Sequence, residues 1–130
     1  MKRFLFRAKI HRATITQADL HYQGSLTIDR TLMEASDLMP YEQVTIVNVT
    51  NGERIETYVI PGDADSGVIC LNGAAARRGA PGDLVIIMAY GIFDETELAG
   101  FTPTVVHVDR KNRIVDISNE QKAGATYEYV

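Results

Sequence analysis

Apolar and polar positions alternate through most of this chain. From Phe4 to Thr16, apolar residues are interleaved with cationic ones, a period of two that predicts a half-buried strand. Val44–Val49 (with Val44, Ile46 and Val47) and Ile55–Ile60 read the same way, and Leu26–Ile28, Val68–Leu71, Leu84–Tyr90, Thr104–Val108 and Arg113–Ile117 are further strands. Asn51-Gly52 predicts a type I′ hairpin with both central residues at positive φ. Asp109-Arg110-Lys111-Asn112 predicts the turn of a second hairpin. One helix is expected: Asp29 caps it, Arg30 to Leu38 carries Leu32, Met33 and Ala35, and Pro40 follows its end. A shorter helical turn is expected after Asn72, over Ala74 to Arg77. The tail from Ser118 to Val130 has no clear period and is expected to be partly mobile.

The pattern also repeats. Pro40-Tyr41-Glu42-Gln43-Val44-Thr45-Ile46 echoes Pro81-Gly82-Asp83-Leu84-Val85-Ile86-Ile87. Each follows a short helical signal, and before that an apolar strand ending in Asp29 or Asn72. A strand–helix–strand unit used twice predicts a mainly β fold that closes as a small pseudo-symmetric barrel.

Length and charge narrow the function. A chain of 130 residues with 45% apolar content is one domain with a modest core. A net charge of −4 with no basic stripe argues against nucleic acid or an anionic membrane as partner. The longest apolar run, Leu84 to Tyr90, is too short to span a bilayer. The N-terminal residues lack the apolar core of a signal peptide, so the simplest compartment is the cytosol. A lone cysteine, Cys70, excludes an intrachain disulfide. It lies in an apolar run and reads as a buried, inert thiol. His11, His21 and His107 lack metal-ligand spacing, and no phosphate loop or dinucleotide fingerprint is present.

The candidate chemistry lies at His21-Tyr22-Gln23-Gly24-Ser25, just ahead of the strand Leu26–Ile28. A Gly-Ser step alone is usually a solvated turn. Three other blocks give it weight: Lys9-Ile10-His11-Arg12, the segment Asn48 to Tyr58, and Asn72-Gly73-Ala74-Ala75-Ala76. In this order, over roughly Lys9 to Tyr90, the set resembles the pyruvoyl-dependent aspartate decarboxylases.

That resemblance implies a double-psi β-barrel with short helices, assembled as a homotetramer with sites between subunits. It implies self-cleavage between Gly24 and Ser25, giving chains 1–24 and 25–130. The Ser25 hydroxyl attacks the Gly24 carbonyl, the ester is lost by β-elimination, and the product hydrolyses to a ketone, the pyruvoyl group. Glycine at 24 is expected to allow a strained conformation with an open carbonyl. Thr57 is implied as a support for cleavage and for substrate. The pyruvoyl ketone would form a Schiff base with L-aspartate and act as electron sink for loss of carbon dioxide, so neither pyridoxal phosphate nor a metal is expected. The product would be β-alanine, for pantothenate and coenzyme A synthesis.

Arg54 suits a carboxylate because its planar fork donates two parallel hydrogen bonds, and Lys9 is a second cation. Tyr58 is the candidate proton donor. Asn72, Gly73, Ala74 and Ala75 line the site in the family, and free N–H groups there can hold an anion. His11, His21 and Tyr22 are local candidates for moving protons. Gln23 stands where an acid is common. Arg77 and Arg78 read as a solvated cap. One conflict stands: Arg54 and Tyr58 share a strand face, while Thr57 points to the other. Two rival readings remain open at this level, a pyruvoyl decarboxylase for another acid such as glutamate, and a non-catalytic barrel that binds a partner. Whether cleavage needs an accessory maturation factor is also open.

Overall fold

The computed structural model describes residues 1–124; the stretch 125–130, part of the tail expected to be mobile, lies outside the described residues. The elements are β1 (Lys2–Thr14), β2 (Gln17–Asp19), β3 (Ser25–Asp29), α1 (Arg30–Ser36), β4 (Gln43–Asn48), β5 (Arg54–Gly62) and β6 (Ile69–Asn72). A 3-10 helix (Gly73–Arg78), β7 (Leu84–Asp94), a 3-10 turn (Glu95–Glu97), β8 (Thr104–Val108) and β9 (Ile114–Ser118) complete them. The fold is mainly β, as the alternation predicts.

The strands pair in the order β2-β6-β3-β5-β4-β7-β1-β8-β9. As a ladder this is open. Its first and seventh members are consecutive pieces of one stretch, because β1 runs through Ile15 and Thr16 into β2. The Ile15 N–H bonds the Asp83 carbonyl at 2.9 Å, and the Thr16 N–H bonds the Ile69 carbonyl at 2.8 Å. Chain continuity thus brings the ends of the run from β2 to β1 together, with β8 and β9 added beyond β1.

The repeat is written into the pairing. In the antiparallel pair β4–β7, Ile46 faces Ile87, its own counterpart in the echo, with Thr45 on Met88 and Val47 on Ile86 to either side. In β3–β6, Thr27 faces Cys70, and Leu26 and Ile28 face Leu71 and Ile69. Both pairs are symmetric about their centres, so the two strand–helix–strand units are related by a local two-fold.

The side-chain period divides each face of β3–β6. Leu26, Ile28, Ile69 and Leu71 point into the core and are at most 2% exposed. They join one cluster with Ile10, Val44, Ile46, Val59, Val85 and Ile87. Each such side chain contributes about 1.5–3 kcal/mol by leaving water. Ser25, Thr27, Cys70 and Asn72 occupy the opposite face.

Two expectations are corrected, and one strand is new. The Asn51-Gly52 connection is not a type I′ turn, since only Gly52 of the pair has positive φ, at 79°. The Asn48 side chain accepts from the N–H groups of Thr50 (2.9 Å) and Asn51 (3.1 Å), and the Gly52 N–H bonds the Asn48 carbonyl. That helical turn keeps Asn51 right-handed. The helix ends at Ser36 rather than Leu38, because Asp37 takes a left-handed cap at φ 57°. The sequence gives no signal for β2, whose three residues are all exposed.

Candidate active site

Ser25 opens β3 and lies directly across from Asn72, the last residue of β6. Ser25 is buried, and the Asn72 carboxamide nitrogen donates to its Oγ at 2.9 Å. The same nitrogen donates to Thr27 Oγ1 at 2.9 Å. The Asn72 carbonyl oxygen accepts from the Cys70 thiol at 3.2 Å. Four side chains on one ladder face therefore form a closed polar patch, and all of Asn72's side-chain hydrogen-bonding atoms are engaged in it.

Gly24 and Ser25 border a cavity of about 270 Å³ that also meets Thr57, Tyr58, Asn72, Ala74 and Ala75. Its position resolves the conflict of strand faces. β3 pairs with β5 only from Leu26 opposite Val59 onward. Before that point the β5 edge has no β3 neighbour, and the cavity lies in the gap. Thr57, half-buried, and Tyr58, 40% exposed, reach it from opposite faces of one strand.

Glycine matters here, at a different residue from the one expected. Gly24 is not in the left-handed region, and a Cβ built on it would meet nothing within 4 Å. The expected strain at residue 24 is absent. Gly73 has φ 65°, and a Cβ there would lie 2.8 Å from Gly24 Cα, 2.9 Å from Gly24 N and 3.0 Å from the Tyr22 carbonyl oxygen. The Gly24-Ser25 step rests on the bare backbone of Gly73. The Tyr22 side chain itself is exposed, as are His21 and Gln23.

The other candidates lie elsewhere in the chain. Lys9 and His11 project from one side of β1, beside Val105 and His107 of the parallel strand β8. They line a second cavity of about 430 Å³ with Arg12, His107 and residues Glu120 to Gly124. A bulge between Ile10 and Ala13, with Arg12 at φ 62°, sets this part of β1. Burial lowers the Lys9 pKa. His11 is lowered to about 4, first by burial and then by Lys9, His107 and Arg12, so its imidazole is neutral at neutral pH. The His11 and His107 rings meet edge to face at 5.6 Å. Arg54 is exposed at the start of β5 and borders neither cavity. One chain thus brings together Gly24, Ser25, Thr57, Tyr58 and Asn72, with Gly73 beneath them and Ala74 and Ala75 beside them, and leaves Lys9, His11 and Arg54 outside.

Sequence reasoning missed three neighbours of this site. Arg78, read as a solvated cap, borders the Ser25 cavity and pairs with Glu53 at 2.5 Å. Thr27 and Cys70 touch Asn72 directly. The alternation of Ser25 and Thr27 with Leu26 and Ile28 was a usable signal for Thr27.

The fold and site together define a small strand-rich protein with a glycine–serine junction in a cavity wall, the serine held by a carboxamide from the facing strand. The family model for aspartate decarboxylase matches residues 1–115. A protein from Acetivibrio thermocellus named aspartate 1-decarboxylase is 58% identical over 92% of this chain and 95% of its own length. Proteins with the same name from Syntrophus aciditrophicus and Moorella thermoacetica are 61% and 50% identical, over 88% and 98% of this chain and 98% and 99% of theirs. The chain belongs to the aspartate decarboxylase family.

Proposed function

We propose that this protein decarboxylates L-aspartate to β-alanine and carbon dioxide, after converting its own Ser25 to a pyruvoyl group. The observation that carries the reading is the buried Ser25 Oγ, hydrogen-bonded by Asn72 and next to a cavity lined by Gly24, Thr57 and Tyr58. A ketone at residue 25 fits this position, because residue 25 borders the cavity and the small Ala74 and Ala75 leave room beside it. When present, that ketone supplies an electron sink for the departing carboxylate.

The chain's own groups have separable tasks. Ser25 Oγ attacks the Gly24 carbonyl, and cleavage leaves chains 1–24 and 25–130. Gly73 lets the loop carrying Gly24 approach the start of the 3-10 helix. Thr57 offers a hydroxyl to the oxyanion that forms on Gly24 and later to substrate. Tyr58 delivers a proton to the carbon that has lost carbon dioxide. Arg54 and Lys9 hold the substrate carboxylates. Since they lie away from the Ser25 cavity in one chain, this reading requires a neighbouring copy to supply them, in a homotetramer with sites between subunits. No helix among the described residues is long and apolar enough to cross a membrane. The reading places the enzyme in the cytosol, feeding pantothenate and coenzyme A synthesis.

Intact-mass measurement tests cleavage. The mature protein should give a fragment ending at Gly24 and one beginning with a blocked pyruvoyl residue, and Ser25→Ala should stay whole. Tyr58→Phe should mature fully yet release carbon dioxide from aspartate about two to four orders of magnitude more slowly. A chain that stays whole, with or without extract of its host, sinks the reading. Parental turnover in Tyr58→Phe removes Tyr58 as donor.

A further inference from the structure

Asn72 can present either end of its carboxamide to Ser25, and the two ends do opposite things. The nitrogen donates to Oγ; the oxygen would accept the serine proton. The hydrogen bonds around Asn72 select the first. Its carbonyl oxygen lies 3.2 Å from the Cys70 sulfur, which as a thiol has one proton to give. The other acceptor near that sulfur, the Leu71 carbonyl, is 3.9 Å away and a poor competitor. Thr27 Oγ1 receives the second amide proton at 2.9 Å. Turning the carboxamide over would set its NH₂ against sulfur, a weak acceptor, and leave the thiol proton without its carbonyl. Cys70 is buried and lies outside the apolar core cluster, because its strand parity turns it to the Asn72 side. Burial also raises the thiol pKa, which keeps the proton on sulfur at neutral pH.

We propose that Cys70 and Thr27 are positioning residues that fix the Asn72 carboxamide with its nitrogen on Ser25 Oγ, and that this donor assists the elimination step of self-processing. The inference rests on the reading above. After the acyl shift, Oγ joins the Gly24 carbonyl carbon to Cβ of residue 25. In the elimination, Cα of residue 25 loses its proton to solvent in the adjoining cavity, and the Cα–Cβ double bond forms. The Cβ–Oγ bond breaks, and Oγ leaves with the electron pair as one oxygen of the Gly24 carboxylate. Negative charge grows on Oγ as that bond breaks, which is where a fixed N–H stabilises most. A carboxamide oriented the other way would oppose the same charge with its own oxygen.

The experiment follows maturation of the full-length chain by denaturing mass spectrometry, with and without hydroxylamine. Hydroxylamine cuts the ester and releases residues 1–24 as a hydroxamate, so it counts chains waiting before elimination. Cys70→Ala should mature about tenfold more slowly, the scale of one lost hydrogen bond, and should accumulate the hydroxylamine-sensitive ester. Cys70→Ser, which keeps a donor, should stay within about threefold of the parent. Thr27→Val and Thr27→Ser form a second pair with the same expectation, and carry the test if Cys70→Ala does not fold. Parental maturation in both Cys70→Ala and Thr27→Val overturns the proposal. So does slowing without ester accumulation, or a serine variant at 70 as slow as alanine. A parent chain that never matures overturns the functional reading as well, whereas a maturing parent with an indifferent Cys70→Ala overturns only the positioning role.

Discussion

The two halves of the molecule meet their helices in opposite ways. At the end of β3, Asp29 turns its carboxylate onto local backbone: it accepts from the N–H groups of Thr31 at 2.8 Å, Asp65 at 2.9 Å and Gly67 at 2.8 Å. An α-helix follows, capped by that side chain. At the equivalent end of β6, Asn72 makes no capping bond, and the helix it opens is a 3-10 helix of six residues. Its side chain faces Ser25 and Thr27 instead. The same position in the repeat caps a helix in one half and faces the buried Ser25 in the other. A forgone cap costs about 1 kcal/mol, and the half that forgoes it is the half that holds the serine.

Exchanging the roles by mutation should break this contrast most strongly. Asn72→Ala should slow maturation by about two orders of magnitude, the scale for loss of one donor to a developing oxyanion, while moving the thermal midpoint less than Asp29→Ala does. Asp29→Ala should do the reverse, costing about 3–5 kcal/mol of stability through three stranded backbone donors. Its folded fraction should mature at near the parental rate. Chemical denaturation and mass spectrometry on the two variants decide it; equal losses of stability in both would erase the distinction.

A second pair sharpens the contrast within the cleavage loop. Gly73→Ala forces a Cβ against Gly24 at 2.8 Å and strains a residue at φ 65°. It should cost about 1–3 kcal/mol and impair cleavage by displacing the Gly24-Ser25 step. Gly24→Ala should fold normally, since the site has open space for a methyl group. Melting curves on uncleavable Ser25→Ala backgrounds isolate the folding part of each effect.

A further expected effect is on pH. His11 titrates at about 4 in the folded chain against an ordinary 6.5. The unfolded chain therefore takes up a proton first as pH falls, and stability that is full above pH 6.5 declines toward pH 4. Burial lowers His107 in the same direction, with Asp116 opposing. His11→Gln should flatten the dependence of the thermal midpoint on pH between 6.5 and 4, and should leave the Asp29–Asn72 contrast untouched. An unchanged slope would show that another group governs that range.

The strands were legible because alternation has a local cause. The echo of Pro40–Ile46 in Pro81–Ile87 was legible for the same reason, and the register of Ile46 on Ile87 gives it a geometric meaning. The site was legible only where a motif carried it. Cys70 read as an inert thiol because its neighbours Ile69 and Leu71 are apolar; which face of the strand it takes depends on pairing with β3. Gly73 read as one of the residues lining the site and not as the support of the Gly24 step, because the atoms that forbid a side chain there belong to Tyr22 and Gly24, far back in the chain. The Thr57–Tyr58 conflict arose from placing the site on one face of the strand, whereas the cavity lies at the β5 edge, whose β3 partner starts only at Leu26. Each of these facts lives in register, which short-range patterns do not encode.

The local two-fold has a consequence for what a single chain can become. Two identical halves meeting about an axis would carry every residue twice, and a self-cutting serine in one would be a self-cutting serine in both. Joined head to tail, the halves diverge position by position. Val68 can stand where its mirror image reads Ser25, and one break can be made without a second. On the proposed reading the uncut inner strand β6, paired with β2 on one side and β3 on the other, would splint the chain across the break between Gly24 and Ser25.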